Sequence, residues 1–245
     1  MAKEDPIQRP APVPHPCAQC AFYGQSVWEP VGAGSLAALA QRFTRMALEE
    51  GQAVWEQGDE NNGVVCVSRG LIALRSLHRD GGSTLLRLAY PGEIIGIRSF
   101  LCGRAHQTEA RALLASRVCV VSPRRASAIV ASNPGVLSRL AIRCIDEIDA
   151  NHARIIAAAT MSNKEHLAAL LERLMQAHGK QVGASLRMRL PLSRADLADL
   201  IGVQPETLSR LIGRLEAEGR LKAVGREVVM PVARARRRKG AASPV

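Results

Sequence analysis

Residues 192–221 read Leu-Ser-Arg-Ala-Asp-Leu-Ala-Asp-Leu-Ile-Gly-Val-Gln-Pro-Glu-Thr-Leu-Ser-Arg-Leu-Ile-Gly-Arg-Leu-Glu-Ala-Glu-Gly-Arg-Leu. Two short helices and the turn between them are written here. Ser193 can cap the first helix, and Asp196, three residues on, takes the place of the Glu or Gln of a capping box. Leu197, Leu200 and Ile201 recur at spacings of three and four, the stripe of an amphipathic helix. Gly202 readily adopts a positive φ and ends that helix. Pro205 opens the second, in the first turn where its missing N–H costs nothing. Leu208, Leu211, Ile212 and Leu215 give the second helix a buried face, and Gln204, Glu206, Ser209, Arg210 and Arg214 occupy the other.

A helix-turn-helix of this kind lays its second helix in the major groove, with N-terminal side chains at the base edges. Glu206 can accept from a cytosine N4 amine, Arg210 can fork a guanine O6 and N7, and Ser209 can reach a thymine methyl or a phosphate. Each such contact is worth roughly 1–3 kcal/mol of discrimination between bases. Double-stranded DNA is therefore the predicted partner. Glu206-Thr207-Leu208-Ser209-Arg210 resembles the recognition helix of the CRP/FNR family of bacterial transcription regulators, and its Glu-x-x-Ser-Arg form resembles the FNR branch. The resemblance implies a TTGAT-type half-site, a palindrome similar to TTGAT-N4-ATCAA, a homodimer to read it, and RNA polymerase as a further partner.

A chain of 245 residues can bury one large core or two modest ones. Its formal net charge of +11 suits a nucleic-acid partner. Two Trp, two Tyr and three Phe are few for a protein that stacks single-stranded bases. No apolar run approaches the ~20 residues that span a bilayer. The N-terminus, rich in proline and charge, has no signal-peptide core. The expectation is a cytoplasmic protein without a membrane partner. No Walker loop, nucleophile elbow, His-Glu-x-x-His or pair of catalytic carboxylates is visible, so no enzyme is expected.

The rest of the chain extends this plan. Residues 1–16 carry five prolines and read as a flexible arm. Leu36, Leu39, Ala40 and Phe43 give residues 35–47 a helical pattern. From about residue 48 to 122 the period becomes two. Val64–Val67, Leu71–Leu74 and Thr84–Leu88 read as strands, with Asp80-Gly81-Gly82 as a hairpin turn. After Pro134, Leu137, Ala141, Cys144, Ile148, Asn151, Ile155 and Ala158 form a heptad seam suited to a two-helix dimer interface, in which Asn151 would fix the register. A helix over 164–178 is expected to pack on the reader helices, and Arg226–Met230 reads as a wing strand. Arg234, Arg236, Arg237, Arg238 and Lys239 form a basic tail, suited either to phosphates or to solvent.

The fold expected is α+β. A Cys-containing arm spans 1–30, and a sensor β-roll, a jelly roll of the cyclic-nucleotide-binding kind, spans 31–130. A dimerisation helix follows over 131–160, then a winged helix-turn-helix DNA-binding domain over 161–233 and the basic tail over 234–245. The β-roll also resembles the family. Gly51, Gly58-Asp59 and Gly70 fall where its turns lie, and Gly92-Glu93-Ile94-Ile95-Gly96 resembles the segment that holds cyclic nucleotide in the CRP branch. That branch goes on to an Arg-Ser pair on the cyclic phosphate, whereas this chain has Gln107-Thr108 near that place. A neutral Gln cannot replace an arginine fork, so cyclic AMP is not the expected effector.

Cys17-Ala-Gln-Cys20 can bind one metal centre or close a disulfide. The FNR branch carries Cys-x2-Cys-x5-Cys near the N-terminus and a fourth Cys late in the β-roll, which hold an oxygen-labile [4Fe–4S] cluster. Cys17, Cys20 and Cys119 match three of these positions, and Ser26 stands at the third arm position. The resemblance thus implies a cluster with one non-standard ligand, or a thiol–disulfide switch with no cofactor. Cys66, Cys102 and His15 are further possible donors, and no spacing singles one out. Cys66 sits in a strand run and reads as core; Cys144 reads as helix packing. The rivals are a family member with another effector (haem, nitric oxide or none) and a non-sensing architectural DNA-binding protein.

Overall fold

The computed structural model describes residues 20–31 and 42–232. Cys17, residues 35–41 and the basic tail from Arg234 lie outside the described residues. Eight strands make two antiparallel sheets: β1 (Thr44–Leu48), β2 (Ala53–Trp55), β3 (Val64–Arg69), β4 (Ile72–Leu77), β5 (Ser83–Ala89), β6 (Ile94–Ile95), β7 (Glu109–Ala112) and β8 (Ser116–Val121). One sheet runs β1-β8-β3-β6 and the other β2-β7-β4-β5, so β5 is an edge strand. Residues 44–47, placed in a helical pattern by sequence, are extended instead. Their backbone pairs with β8 from Thr44↔Val120 to Leu48↔Ser116, and this ladder outweighs a sparse apolar pattern.

Period-two alternation buries both faces of each sheet. Val65, Val67 and Val118 of one sheet meet Ile72, Leu74 and Ala110 of the other between them. The opposite face of the first sheet, with Val64, Cys119 and Val121, is covered by Val27, Trp28 and Val31 of the arm. The opposite face of the second, with Leu71, Ala73 and Leu85, packs against the C-terminal domain. At the β3–β4 turn, Gly70 has a φ of +89°, and an added Cβ would lie 2.1 Å from the Ser116 hydroxyl oxygen. That oxygen accepts a hydrogen bond from the Leu71 N–H, so the turn admits no side chain.

Helix α1 (Ile97–Cys102) follows β6 and α2 (Pro123–Ser132) follows β8. Helix α3 (Pro134–Thr160) has 27 residues and is roughly 40 Å long at 1.5 Å per residue. The C-terminal domain contains α4 (Asn163–His178), β9 (Lys180–Val182), β10 (Ser185–Arg189), α5 (Arg194–Ile201), α6 (Pro205–Ala217), β11 (Lys222–Val224) and β12 (Glu227–Pro231). Its four strands form an antiparallel sheet ordered β11-β12-β10-β9, and β11–β12 is the wing. Leu167, Leu171 and Leu174 of α4 pack with Leu197, Leu208 and Leu215 of the two reader helices, as the apolar spacing predicts. Among the described residues no helix is long and apolar enough to cross a membrane.

Candidate functional site

The reader begins at a complete capping box. Ser193 Oγ accepts from the Asp196 N–H at 3.1 Å, and Asp196 Oδ2 accepts from the Ser193 N–H at 2.8 Å. Gly202, at a φ of 71°, closes α5 in the left-handed region. Helix α6 turns Leu208, Leu211, Ile212 and Leu215 into the core. Gln204, Glu206, Ser209, Arg210 and Arg214 are all exposed. Glu206, Ser209, Arg210 and Gly213 fall on one side at spacings of three and four, and nothing crowds Gly213. This side therefore offers a carboxylate, a hydroxyl and a guanidinium over a shallow centre, which suits a groove floor. The Ser209 hydroxyl donates to the Pro205 carbonyl at 3.2 Å, which leaves its oxygen able to accept.

The reader is docked on the β-roll through a second use of α5. Arg75 Nη1 of β4 lies 2.6 Å from Asp196 Oδ1, both side chains being largely buried. The Leu85 N–H of β5 donates to Asp199 Oδ2 at 2.9 Å. Burial alone would push the Asp196 carboxyl up. Hydrogen bonds from Arg75 and from the backbone and hydroxyl of Ser193 outweigh that and hold it below the usual carboxylate range.

Helix α3 presents an exposed aliphatic face. Leu137, Ala141, Ile148 and Ile155 of the sequence seam lie on it, joined by Ile145, Ile142 and Ile156. Ile148 is 51% and Ile155 68% accessible. Two further seam residues, Cys144 and Asn151, are engaged within the chain. Cys144 is half-buried against the cluster beneath the arm. Asn151 Oδ1 accepts from Arg154, one turn along the same helix.

The other flank of α3 holds the arm. Arg139 Nη2 donates to Glu29 Oε2 at 2.6 Å and its Nη1 to the Ser26 carbonyl at 3.3 Å. Arg143 Nη2 donates to the Gln25 carbonyl at 2.6 Å. On its opposite side the arm roofs a cleft of about 30 Å³ lined by Cys20, Ser26, Trp28, Cys66, Ser68 and Cys119. Cys119 of β8 stands directly opposite Cys66 of β3. Burial pushes the Cys119 thiol up to about 11, and the nearby Cys20 adds to this. Sequence spacing did not single out Cys66; the signal that finds it is strand register, which needs the sheet order. Among the described residues no three His, Cys, Asp or Glu stand close enough to hold an ion.

Gln107 is exposed and donates to the Ala105 carbonyl at 3.3 Å. Arg104 is exposed as well. His106 stacks on Trp55 at 4.0 Å, and Trp55 Nε1 donates to the Thr108 carbonyl at 2.7 Å.

Comparison with known proteins agrees with this architecture. The family model for a Crp-like helix-turn-helix domain matches residues 165–234, and that for a cyclic nucleotide-binding domain matches residues 45–133. The nitrogen fixation regulation protein FixK of Bradyrhizobium diazoefficiens is 29% identical over 214 residues, covering 86% of this chain and 87% of that protein. The fumarate and nitrate reduction regulatory protein of Salmonella typhimurium is 23% identical over 183 residues, covering 75% of this chain and 73% of that protein. Among solved structures, FixK2 from Bradyrhizobium japonicum shares the fold with a TM-score of 0.64 at 22% identity, over 82% of this chain and 99% of that one.

Proposed function

Because this chain belongs to the CRP/FNR family of DNA-binding transcription regulators, we propose that it is a homodimer that reads a TTGAT-N4-ATCAA-like palindrome and responds to oxygen or redox state. The observation that carries the DNA half is the exposed row of Glu206, Ser209 and Arg210 on α6. Two such rows related by a two-fold axis address half-sites about one helical turn apart. A second copy seated on α3 supplies that axis. Six large aliphatic side chains exposed along one helix are more than isolated surface residues, and they support such an interface. Arg214 and the basic tail, Arg234 to Lys239, would add phosphate contacts. RNA polymerase is the further proposed partner, in the cytoplasm.

The sensing half is supported by the double attachment of the arm, to the thiol cleft on one side and to α3 on the other. Cys17, Cys20 and Cys119 would hold an iron–sulfur cluster, which supplies an oxygen-labile link between arm and β8. In this reading the cluster would anchor the arm, and Arg139 and Arg143 would pass its position to α3 and thereby bias pairing of the two readers. A second reading is a thiol–disulfide switch, favoured by the small cleft and by Cys66 facing Cys119. In that reading two protein thiols reduce a small disulfide, close a protein disulfide and release two small thiols. A cyclic nucleotide is not the proposed effector, since Gln107 offers no fork for its phosphate.

The test is binding-site selection from random duplex DNA with protein purified without oxygen, repeated after exposure to air. The expected result is the palindrome, with binding weakened in air. A non-palindromic site, or binding that ignores sequence and vanishes with salt, would overturn the DNA reading. Equal binding before and after air would overturn the sensing one.

A further inference from the structure

We propose that the cleft between the β-roll, α3 and the reader domain binds a small organic anion, an apolar body carrying one carboxylate, and that this ligand sets how firmly the reader sits on the roll. The proposal goes beyond the sensing reading and rests on neither the cysteines nor the operator. The cleft holds about 560 Å³, within the roughly 300–1,000 Å³ of small-molecule sites. Arg87 of β5, Ile97 of α1, Arg154 of α3, Leu170 of α4 and Leu200 of α5 all line it. Because α5 is the first reader helix, one ligand here touches both domains. Leu88 and Ile94 join Ile97, Leu170 and Leu200 as apolar lining. The cleft is also clear of the aliphatic face of α3. Glu147, Ala150 and Arg154 line it, on average roughly 120° round the helix from Ile148 and Ile155.

The charges of the lining point to an anion. Arg87 Nη1 lies 3.2 Å from Glu93 Oε2, and its Nε lies 3.2 Å from Glu147 Oε1. Arg173 Nη2 lies 2.9 Å from Glu93 Oε1, and Arg143 Nη1 lies 3.4 Å from Asp146 Oδ2. Three arginines are thus answered by three carboxylates. Half-buried Arg154 donates instead to the Leu86 carbonyl at 2.5 Å and to the Asn151 side chain, and among the described residues no carboxylate pairs with it. Burial holds its guanidinium below the usual range; the nearby Arg87 adds to this and Glu147 opposes it. A partly buried cation without a counter-ion costs free energy, which an anion in the cleft would offset. Two further lining residues, Tyr90 and His166, each carry a buried polar atom without a hydrogen bond, Tyr90 Oη and His166 Nδ1. Such atoms are few in native proteins and mark where the chain does not complete its own hydrogen bonding. A bare inorganic anion would leave the apolar walls wet, so the guest needs a body as well as a charge.

The experiment is titration of the full chain with octanoate, with 1-octanol as the same body without charge and inorganic phosphate as charge without body. Isothermal calorimetry and the thermal midpoint are read for the wild type, Arg154→Met, Arg154→Lys, Ala150→Trp and Arg124→Met, the last an exposed arginine on α2 outside the cleft. Circular dichroism checks that each variant is folded. Octanoate should bind the wild type and Arg124→Met saturably, one per chain, and raise the midpoint. Arg154→Met should weaken it at least ~tenfold, as loss of one hydrogen bond to a charged group implies, and Arg154→Lys should weaken it less. Ala150→Trp should abolish binding by filling the cleft. Octanol should bind at least ~tenfold more weakly than octanoate, and phosphate should not bind. In fluorescence anisotropy on whichever duplex site selection returns, saturating octanoate should change DNA affinity by at least about fivefold. No saturable octanoate binding, or equal binding by the wild type, Arg154→Met and Ala150→Trp, would overturn the site. Octanol binding as tightly as octanoate would overturn the anion. Octanoate binding that leaves DNA affinity unchanged would overturn its control of the reader. None of these results bears on the cysteines, so the sensing reading stands or falls separately.

Discussion

Glu206, Ser209 and Arg210 come from one helix and five consecutive positions, whereas Cys20, Cys66 and Cys119 come from an arm and two strands far apart in the chain. The reader is assembled by a capping box, a turn glycine and a 3.6-residue stripe, each of which acts within a few residues. The thiol cleft exists only once β8 has paired between β1 and β3 and the arm has folded over them. A locally built site can be changed without disturbing the rest. A site built by long-range pairing reports on everything that holds it, which is a useful property in a sensor.

Arg210→Ala is the sharpest test of that contrast. Two copies of one lost contact, at roughly 1–3 kcal/mol each, should weaken operator binding by about thirtyfold to twenty-thousandfold. Fluorescence anisotropy should show this while the thermal midpoint and cysteine reactivity stay as in the wild type. A fall in stability of similar size would mean that the reader is not autonomous. Ile148→Glu cuts the link between the two halves instead. The side chain is exposed in a single chain, so the fold should persist. Burying two unpaired carboxylates at the two-fold interface should weaken dimerisation by about 3 kcal/mol, roughly a hundredfold, in analytical ultracentrifugation. An unchanged dimer constant would move the interface off this face.

Asp196→Ala probes the junction itself, because that carboxylate serves both the α5 cap and Arg75 of the roll. Loss of cap and partner should cost about 2–3 kcal/mol in urea unfolding. The pH dependence has a definite sign. The folded carboxyl lies below its ordinary value, so its stabilisation is complete above the unfolded value, ~3.9, and is lost only as pH falls below that. Between pH 5 and 8 the wild-type advantage over Asp196→Ala should be flat, and a slope there would point to a different partner. The smallest expected effect is that of cyclic AMP. At a millimolar concentration it should leave the thermal midpoint unchanged, since only a ligand that binds the folded state raises it. A rise of several degrees would make the roll a nucleotide sensor after all.

What the sequence disclosed follows the same division. Ser193, Gly202 and Pro205 act on their immediate neighbours, and the structure has each in the role that its chemistry predicts. The β4–β5 hairpin at Asp80-Gly81-Gly82 was legible for the same reason, with Asp80 Oδ1 accepting from the Gly82 N–H. The opposition of Cys66 and Cys119 was not, because β3 and β8 are separated by four intervening strands and nothing local fixes their register. The heptad pattern on α3 identified an apolar helix, but spacing alone could not distinguish its two flanks. Cys144 and Asn151 satisfy the pattern as well as Ile148 does, and within one chain Cys144 packs partly against the cluster beneath the arm and Asn151 accepts from Arg154.

The contacts between α5 and β5 have one further consequence. An edge strand with open N–H and C=O groups is a template for another chain. On β5, the Leu85 N–H is taken by Asp199 and the Leu86 carbonyl by Arg154. The reader and the long helix thus cover the margin of the sheet. A fragment ending before residue 150 would leave that margin bare. Such a fragment should self-associate through β5, with the concentration dependence and added β signal of edge-to-edge aggregation. Guarding this margin thus falls to a domain whose evident work is elsewhere.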